Sequence, residues 1–175
     1  MDQLIVPQGA LVVLIGAAGA GKTTLAARHF PSETILSSDL LRARFGDSAA
    51  DQSVTRQAFT ALHRALEARL ARGRMTVVDA TNVTAAARAA LLRLARASGA
   101  PAIALVLDLP AEVAIARNAA RDGRVVPEVA VRRQLGALER ADDATLRREG
   151  FATVLRLRAP ADIATLQVLL PADRS

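Results

Sequence analysis

The chain contains no cysteine, tyrosine or tryptophan, a single lysine and four phenylalanines. Without cysteine, a disulfide scaffold, cysteine-ligated zinc and a thiol nucleophile are excluded, and the composition fits a reducing, cytoplasmic setting. Aromatic residues make up 2% of the chain, so bases stacked on an aromatic platform are not the expected binding mode. No apolar run approaches the ~18 residues that a membrane span needs. The opening residues, Met1-Asp2-Gln3-Leu4-Ile5-Val6-Pro7, lack the basic start and long apolar stretch of a secretory signal. What is present is 175 residues, 51% hydrophobic and 23% charged, which supports one folded domain with a sizeable core.

The charge is one-sided in an unusual way. Lys and Arg total 23 against 17 Asp and Glu, a formal net charge of +6, and every cation except Lys22 is arginine. Arginine and alanine are abundant throughout, so compositional bias accounts for much of this. It does not account for where the one lysine sits.

Apolar runs alternate with helical patterns. Residues 10–15 (ALVVLI) read as a buried parallel strand, and shorter strands are expected at 33–37, 75–79, 103–107 and 153–157. Ser53 is placed to cap a helix to about residue 71, with Val54, Ala58, Leu62, Leu66 and Leu70 on one face. Thr84 is placed to cap a helix to Ser98, and Pro110 to start another that runs into residues 117–124. A helix from Pro127 with a break near Asp142 follows, and residues 163–170 read as a final amphipathic piece. This alternation predicts one α/β domain, residues 1–175, with a five-stranded parallel sheet flanked by helices.

Between the first strand and its helix stands Gly16-Ala17-Ala18-Gly19-Ala20-Gly21-Lys22-Thr23-Thr24, which matches G-x-x-x-x-G-K-[ST]. Glycines let the backbone turn its N–H groups onto phosphate oxygens, and the helix opening at Lys22 directs its positive end to the same point. Lys22 then reaches the β- and γ-phosphates, and the Thr23 hydroxyl suits Mg²⁺. The sole lysine falls where this motif requires one.

In such a sheet ligands bind beyond the carboxyl ends of the strands, and three of those ends carry polar groups. Asp39, after Ser37-Ser38, is placed to accept the proton of a substrate hydroxyl, and Arg42 to hold an acceptor phosphate; the alternative is a helix cap beside a solvated arginine. Asp79, closing Val77-Val78-Asp79-Ala80-Thr81-Asn82, resembles an acid that holds Mg²⁺ directly or through water, the alternative being a cap on the next turn. Arg117, Arg121 and Arg124, spaced four and three apart near Gly123, suit a helical lid over about 117–133 that folds onto a triphosphate; a solvated basic face is the alternative.

Taken in order, the 16–24 loop, Leu36-Ser37-Ser38-Asp39, Asp51-Gln52-Ser53-Val54-Thr55, Leu62-His63, Thr76 to Val83, Arg117-Asn118, Arg121, Arg124 and Arg148-Glu149-Gly150-Phe151 resemble the kinase module of bacterial polynucleotide kinase–phosphatases. The resemblance spans nearly the whole chain. It implies a P-loop kinase fold and transfer of the γ-phosphate of ATP or another NTP to the 5′-OH end of RNA or DNA. It further implies Lys22 and Thr23 on the triphosphate and Mg²⁺, Asp39 as general base, Arg42 and Gln52 on the acceptor strand, and the three arginines as a clamp. Members of that family also carry phosphatase and often ligase-like modules, which are expected as neighbours if these residues belong to a longer chain. The charge map agrees with a polyanionic partner: residues 42–74 hold seven arginines against three acids, and 117–133 hold five against two. Scarce aromatics point to phosphate contact and weak base preference. Two other readings share the same loop: a kinase for a small-molecule hydroxyl (sugar acid, nucleoside or antibiotic) and a regulatory NTPase. A base at Asp39 argues against the last, because a switch needs no hydroxyl acceptor.

Overall fold

Consecutive apolar residues make a stable strand only where both faces are covered. The structure, a computed structural model, describes residues 2–45, 52–122 and 125–172, and it shows that cover. The strands are β1 (Gln3–Ile5), β2 (Leu11–Ile15), β3 (Ile35–Ser37), β4 (Thr76–Asp79), β5 (Ala102–Leu107), β6 (Thr153–Leu157) and β7 (Gln167–Leu169). Five of them form one parallel sheet in the order β3-β4-β2-β5-β6, with β2 at its centre.

Strand residues alternate between two cores. Leu11, Val13 and Ile15 of β2 and Ala104 and Val106 of β5 join one core, while Val12, Leu14, Ile103 and Leu105 join the other. The first core is closed by α3 (Gln52–Leu70), α4 (Ala85–Ala97) and α7 (Asp143–Glu149), through residues such as Leu62, Leu66, Leu91 and Leu146. Of the expected row, Ala58, Leu62, Leu66 and Leu70 are buried, as their four-residue spacing requires, while Val54 near the start of the helix is half-buried. The second core is closed by α1 (Lys22–His29) and by the segment around α8 (Pro160–Thr165), through Leu25, Ala26 and Leu166. The remaining helices are α2 (Ser38–Phe45), α5 (Ala111–Ala119) and α6 (Glu128–Glu139).

Several local expectations hold. Thr84 Oγ1 accepts from Ala87 N and starts α4, and Asp142 Oδ1 accepts from Thr145 N between α6 and α7, where the break is expected. Four points differ. Residues 163–170 divide between α8 and β7, and β7 pairs in parallel with β1, a strand the sequence does not announce. The expected strand at 33–37 begins only at Ile35, after a 3-10 turn over Ser32–Thr34. Pro110 stands just before α5 instead of at its first helical position, and Ser53 lies within α3, which already begins at Gln52. Finally, α5 stops at Ala119, so Arg121 lies beyond the helix and does not continue the helical face that carries Arg117. The cause is Asn118: its buried side chain donates to Val126 O at 2.7 Å and accepts from Val126 N at 3.2 Å, drawing the chain back on itself.

Candidate active site

The turn from β2 into α1 is a loop whose geometry depends on glycine at two places. Gly21 precedes α1 at φ 94°, and Gly19, at φ 83°, leaves no room for a side chain because a Cβ there would meet Ala114 O at 2.0 Å. The loop therefore packs directly against α5. α1 has no side-chain cap and no acid in its first turn, so its leading N–H groups are left to an anion.

Lys22 is folded back under this loop. Its Nζ donates to Gly16 O at 2.9 Å and to Ala17 O at 2.8 Å. Burial lowers its pKa to about 8, against the opposing pull of Asp79 and Asp39, with nearby Arg121 lowering it further. Next to it Thr23 Oγ1 donates to Asp79 Oδ2 at 2.8 Å, so the end of β4 meets the start of α1. Burial raises the pKa of Asp79, partly offset by the Thr23 hydrogen bond and by Lys22. A hydroxyl and a buried carboxylate with these surroundings are hard oxygen ligands in want of a cation, and they fit Mg²⁺. Among the described residues no group of three or more His, Asp or Glu forms a separate metal cluster.

The β4 end is held by groups that sequence reasoning quotes without assigning a role. Asn82 is buried at φ 49° and donates Nδ2 to Leu14 O at 2.8 Å, and Gly16 N donates to Thr81 O at 3.0 Å. Behind it Arg88, buried on α4, donates to Val83 O at 2.8 Å and Asn82 O at 3.1 Å. Its other nitrogens make a two-pronged ion pair with Glu149, both contacts at 2.7 Å. Arg96 donates to Glu149 O at the same corner.

Loop, Lys22, Thr23, Thr24, Asp39, Arg42, Asp79, Arg117 and Arg121 line one cleft of about 670 Å³. Asp39 is exposed in the first turn of α2 and lies within electrostatic reach of Lys22 and Asp79. It does not cap that helix: Ser37 Oγ accepts from Leu40 N at 3.4 Å and takes that place. The guanidinium of Arg42 lies 6.0 Å from the centre of the Phe59 ring, which also lines the cleft. Segment 117–133 supplies the opposite wall through Arg117, Arg121, Val126, Pro127, Ala130 and Arg133. Arg117 approaches the loop at Gly21, its Nη1 3.8 Å from where a Cβ would be.

Sequence reasoning misses Phe59, Arg133 and Gln134 of this cleft. Phe59 follows the buried row of α3 by one position and looks like an ordinary helix residue until α2 packs beside it. Of the expected site residues, Arg124 lies outside the described residues, as does Gly123, and the side chain of Gln52 is likewise outside the description.

This strand order, with a phosphate loop after the central strand and an acid ending its neighbour, defines the α/β P-loop kinase fold. The chain belongs to the AAA_33 family, an AAA domain, which matches residues 11–141. Together they make it a domain of the kinase class, built for phosphotransfer. No curated relative matches it by sequence. Among solved structures it is similar to a chain of the Pnkp1/Rnl/Hen1 RNA repair complex, at 22% identity and TM-score 0.63, over 85% of this chain and 47% of that one. The chain thus spans about half the length of that relative. It is similar to a sugar kinase from Janibacter sp. at 22% identity and TM-score 0.59, over 87% of this chain and 86% of that one. It is also similar to Chaetomium thermophilum Kti12 in complex with ADP-AlF3, at 19% identity and TM-score 0.63, over 88% and 93% of the two chains. At these identities the likeness is one of fold.

Proposed function

We propose that this domain transfers the γ-phosphate of ATP, or another NTP, to the 5′-hydroxyl end of RNA or DNA. The supporting observation is the convergence in one cleft of a phosphate loop, an exposed carboxylate at Asp39 and a basic acceptor wall. The cleft lining carries Lys22, Arg42, Arg117, Arg121 and Arg133 against Asp39 and Asp79, which suits a triphosphate facing a second phosphate-bearing ligand.

In this reading the backbone from Gly16 to Thr24 and the α1 N-terminus hold the triphosphate, and Lys22 bridges its outer phosphates. Thr23 and Asp79 would hold Mg²⁺, which would supply positive charge to offset that of the triphosphate. Asp39 takes the proton from the attacking hydroxyl, and Arg42 fixes the acceptor through its phosphate. Arg117 and Arg121 stabilise charge developing on the transferred group, and Arg124 and Gln52 are assigned to the lid and the acceptor strand by resemblance. Segment 117–133 is the lid of a single domain, and Asn118 clasps Val126 within it.

A second reading has its own support. The sugar kinase is matched over 86% of its length, whereas only 47% of the repair-complex chain is covered, so a kinase acting alone on a small hydroxyl shares this size and shape. The two part on one assay. Incubation with γ-labelled ATP and oligonucleotides bearing a 5′-OH should label RNA or DNA ends, while sugar acids and nucleosides in parallel reactions stay unlabelled. Label on a metabolite and none on any 5′-OH end would overturn the first reading.

A further inference from the structure

Gln134 stands on α6 and reaches across to the phosphate loop. Ala18 N donates to its Oε1 at 2.8 Å. Only the oxygen of a carboxamide accepts a hydrogen bond, so this contact fixes which end of the amide faces the loop and leaves Nε2 as the outward group. Gln134 lines the nucleotide cleft, and among the described residues nothing accepts from Nε2.

The place of this amide along the loop matters. Ala17, the preceding residue, is one of the two carbonyls that hold Lys22 Nζ, at 2.8 Å. The lysine of such a loop ends at the β- and γ-phosphates. Gln134 is thus tethered to the residue that follows one of the two carbonyls holding Lys22 Nζ, on the stretch of loop nearest the group that such a lysine serves. Its backbone is not free to wander: Val131 is fully buried, and Val131, Ile115, Val126 and Leu135 pack with Ala17 and Ala18 in a small apolar cluster. An amide whose oxygen is tethered and whose helix is packed on the loop is oriented before ligand arrives.

We propose that Gln134, tethered through Oε1 to the Ala18 amide, donates from Nε2 to the terminal phosphate of a bound nucleoside triphosphate and so distinguishes triphosphate from diphosphate. This rests on the reading of the cleft as a nucleotide site. The tether and the donor can be separated by substitution. Gln134→Glu keeps an oxygen for Ala18 N but turns a negative oxygen toward the phosphate. Gln134→Ala removes both groups without adding charge.

The test is calorimetric binding of ATP and of ADP, each with Mg²⁺, to the wild-type chain and both variants, with thermal midpoints of the free proteins. Gln134→Glu should keep the wild-type midpoint, bind ADP within about twofold of wild type and lose at least about tenfold in ATP affinity, the scale of a hydrogen bond to a charged group. Gln134→Ala should lose less ATP affinity than Gln134→Glu. A Gln134→Glu protein with the wild-type ATP-to-ADP preference, or one that weakens both nucleotides equally, would overturn the proposal and leave the nucleotide site intact. A wild-type protein that binds neither nucleotide would overturn the reading beneath it and the proposal together.

Discussion

At the scale of single residues, the proposed reaction rests mainly on two side chains, and each predicts a distinct signature. Burial holds the pKa of Lys22 at about 8, below its ordinary 10.5. Because the unfolded chain then binds more protons than the folded one between those values, this group makes the free protein more stable as pH rises from about 8 to 10.5 and adds no pH dependence below about 8. A bound triphosphate supplies negative charge and draws the proton back, so at pH 8.5 ATP binding should take up protons. The binding enthalpy will then vary with the ionisation enthalpy of the buffer, and Lys22→Met should remove that variation. Asp39 makes a different prediction. Since Ser37 caps α2, Asp39→Ala should leave the helix and ATP affinity within a few-fold of wild type while lowering transfer by about 10² to 10⁴. A parallel loss of ATP binding in a calorimetric titration would make Asp39 a structural or metal-binding residue instead. Lys22, Thr23 and Asp79 are legible in the sequence because the loop motif and the strand-end acid have fixed spacing. Phe59 and Gln134 are not, since each reaches the cleft only through the packing of α2 or α6.

At the scale of elements, the corner formed by α4, α7 and the end of β4 is the most consequential. Arg88 is buried with its guanidinium divided between Glu149 and the Asn82 and Val83 carbonyls. Glu149→Ala leaves that charge unpaired in the interior and should cost about 3 to 5 kcal/mol in urea unfolding. The double variant Arg88→Met with Glu149→Leu should recover part of the loss, because it removes the stranded charge. A Glu149→Ala protein as stable as wild type would contradict this account of the corner. Long elements were readable from periodicity: the four-residue apolar row of α3 and the continuous apolar runs of β2 and β5 each leave few alternatives. β1 and β7, at three residues each, carry too little pattern to show a period, and their pairing joins the two ends of the described chain. The stop of α5 was equally hidden, since it depends on Asn118 reaching a backbone eight residues away.

At the scale of the whole molecule, the surplus of arginine takes on a location. Among the described residues, four of the five cations in the cleft lining are arginines, on walls formed by α2, α5 and α6 and the turn after α5, and the sheet places them all above its carboxyl edge. If the acceptor is a polynucleotide, kcat/KM for it should fall steeply between about 50 and 200 mM salt as released counterions no longer favour binding. ATP binding measured alone should change far less over the same range. A salt dependence equally shallow for acceptor and nucleotide would point to a small uncharged acceptor. On the proposed function this kinase-class cleft serves a 5′-hydroxyl polynucleotide end through Asp39. It is tested most directly by competition in one reaction, with limiting γ-labelled ATP and equimolar 5′-OH oligonucleotide, sugar acid and nucleoside, run with wild-type and Asp39→Ala protein. Label is expected at the oligonucleotide 5′ end with wild type and is expected to be lost with Asp39→Ala. Label on the sugar acid or nucleoside, with the oligonucleotide bare, would contradict it.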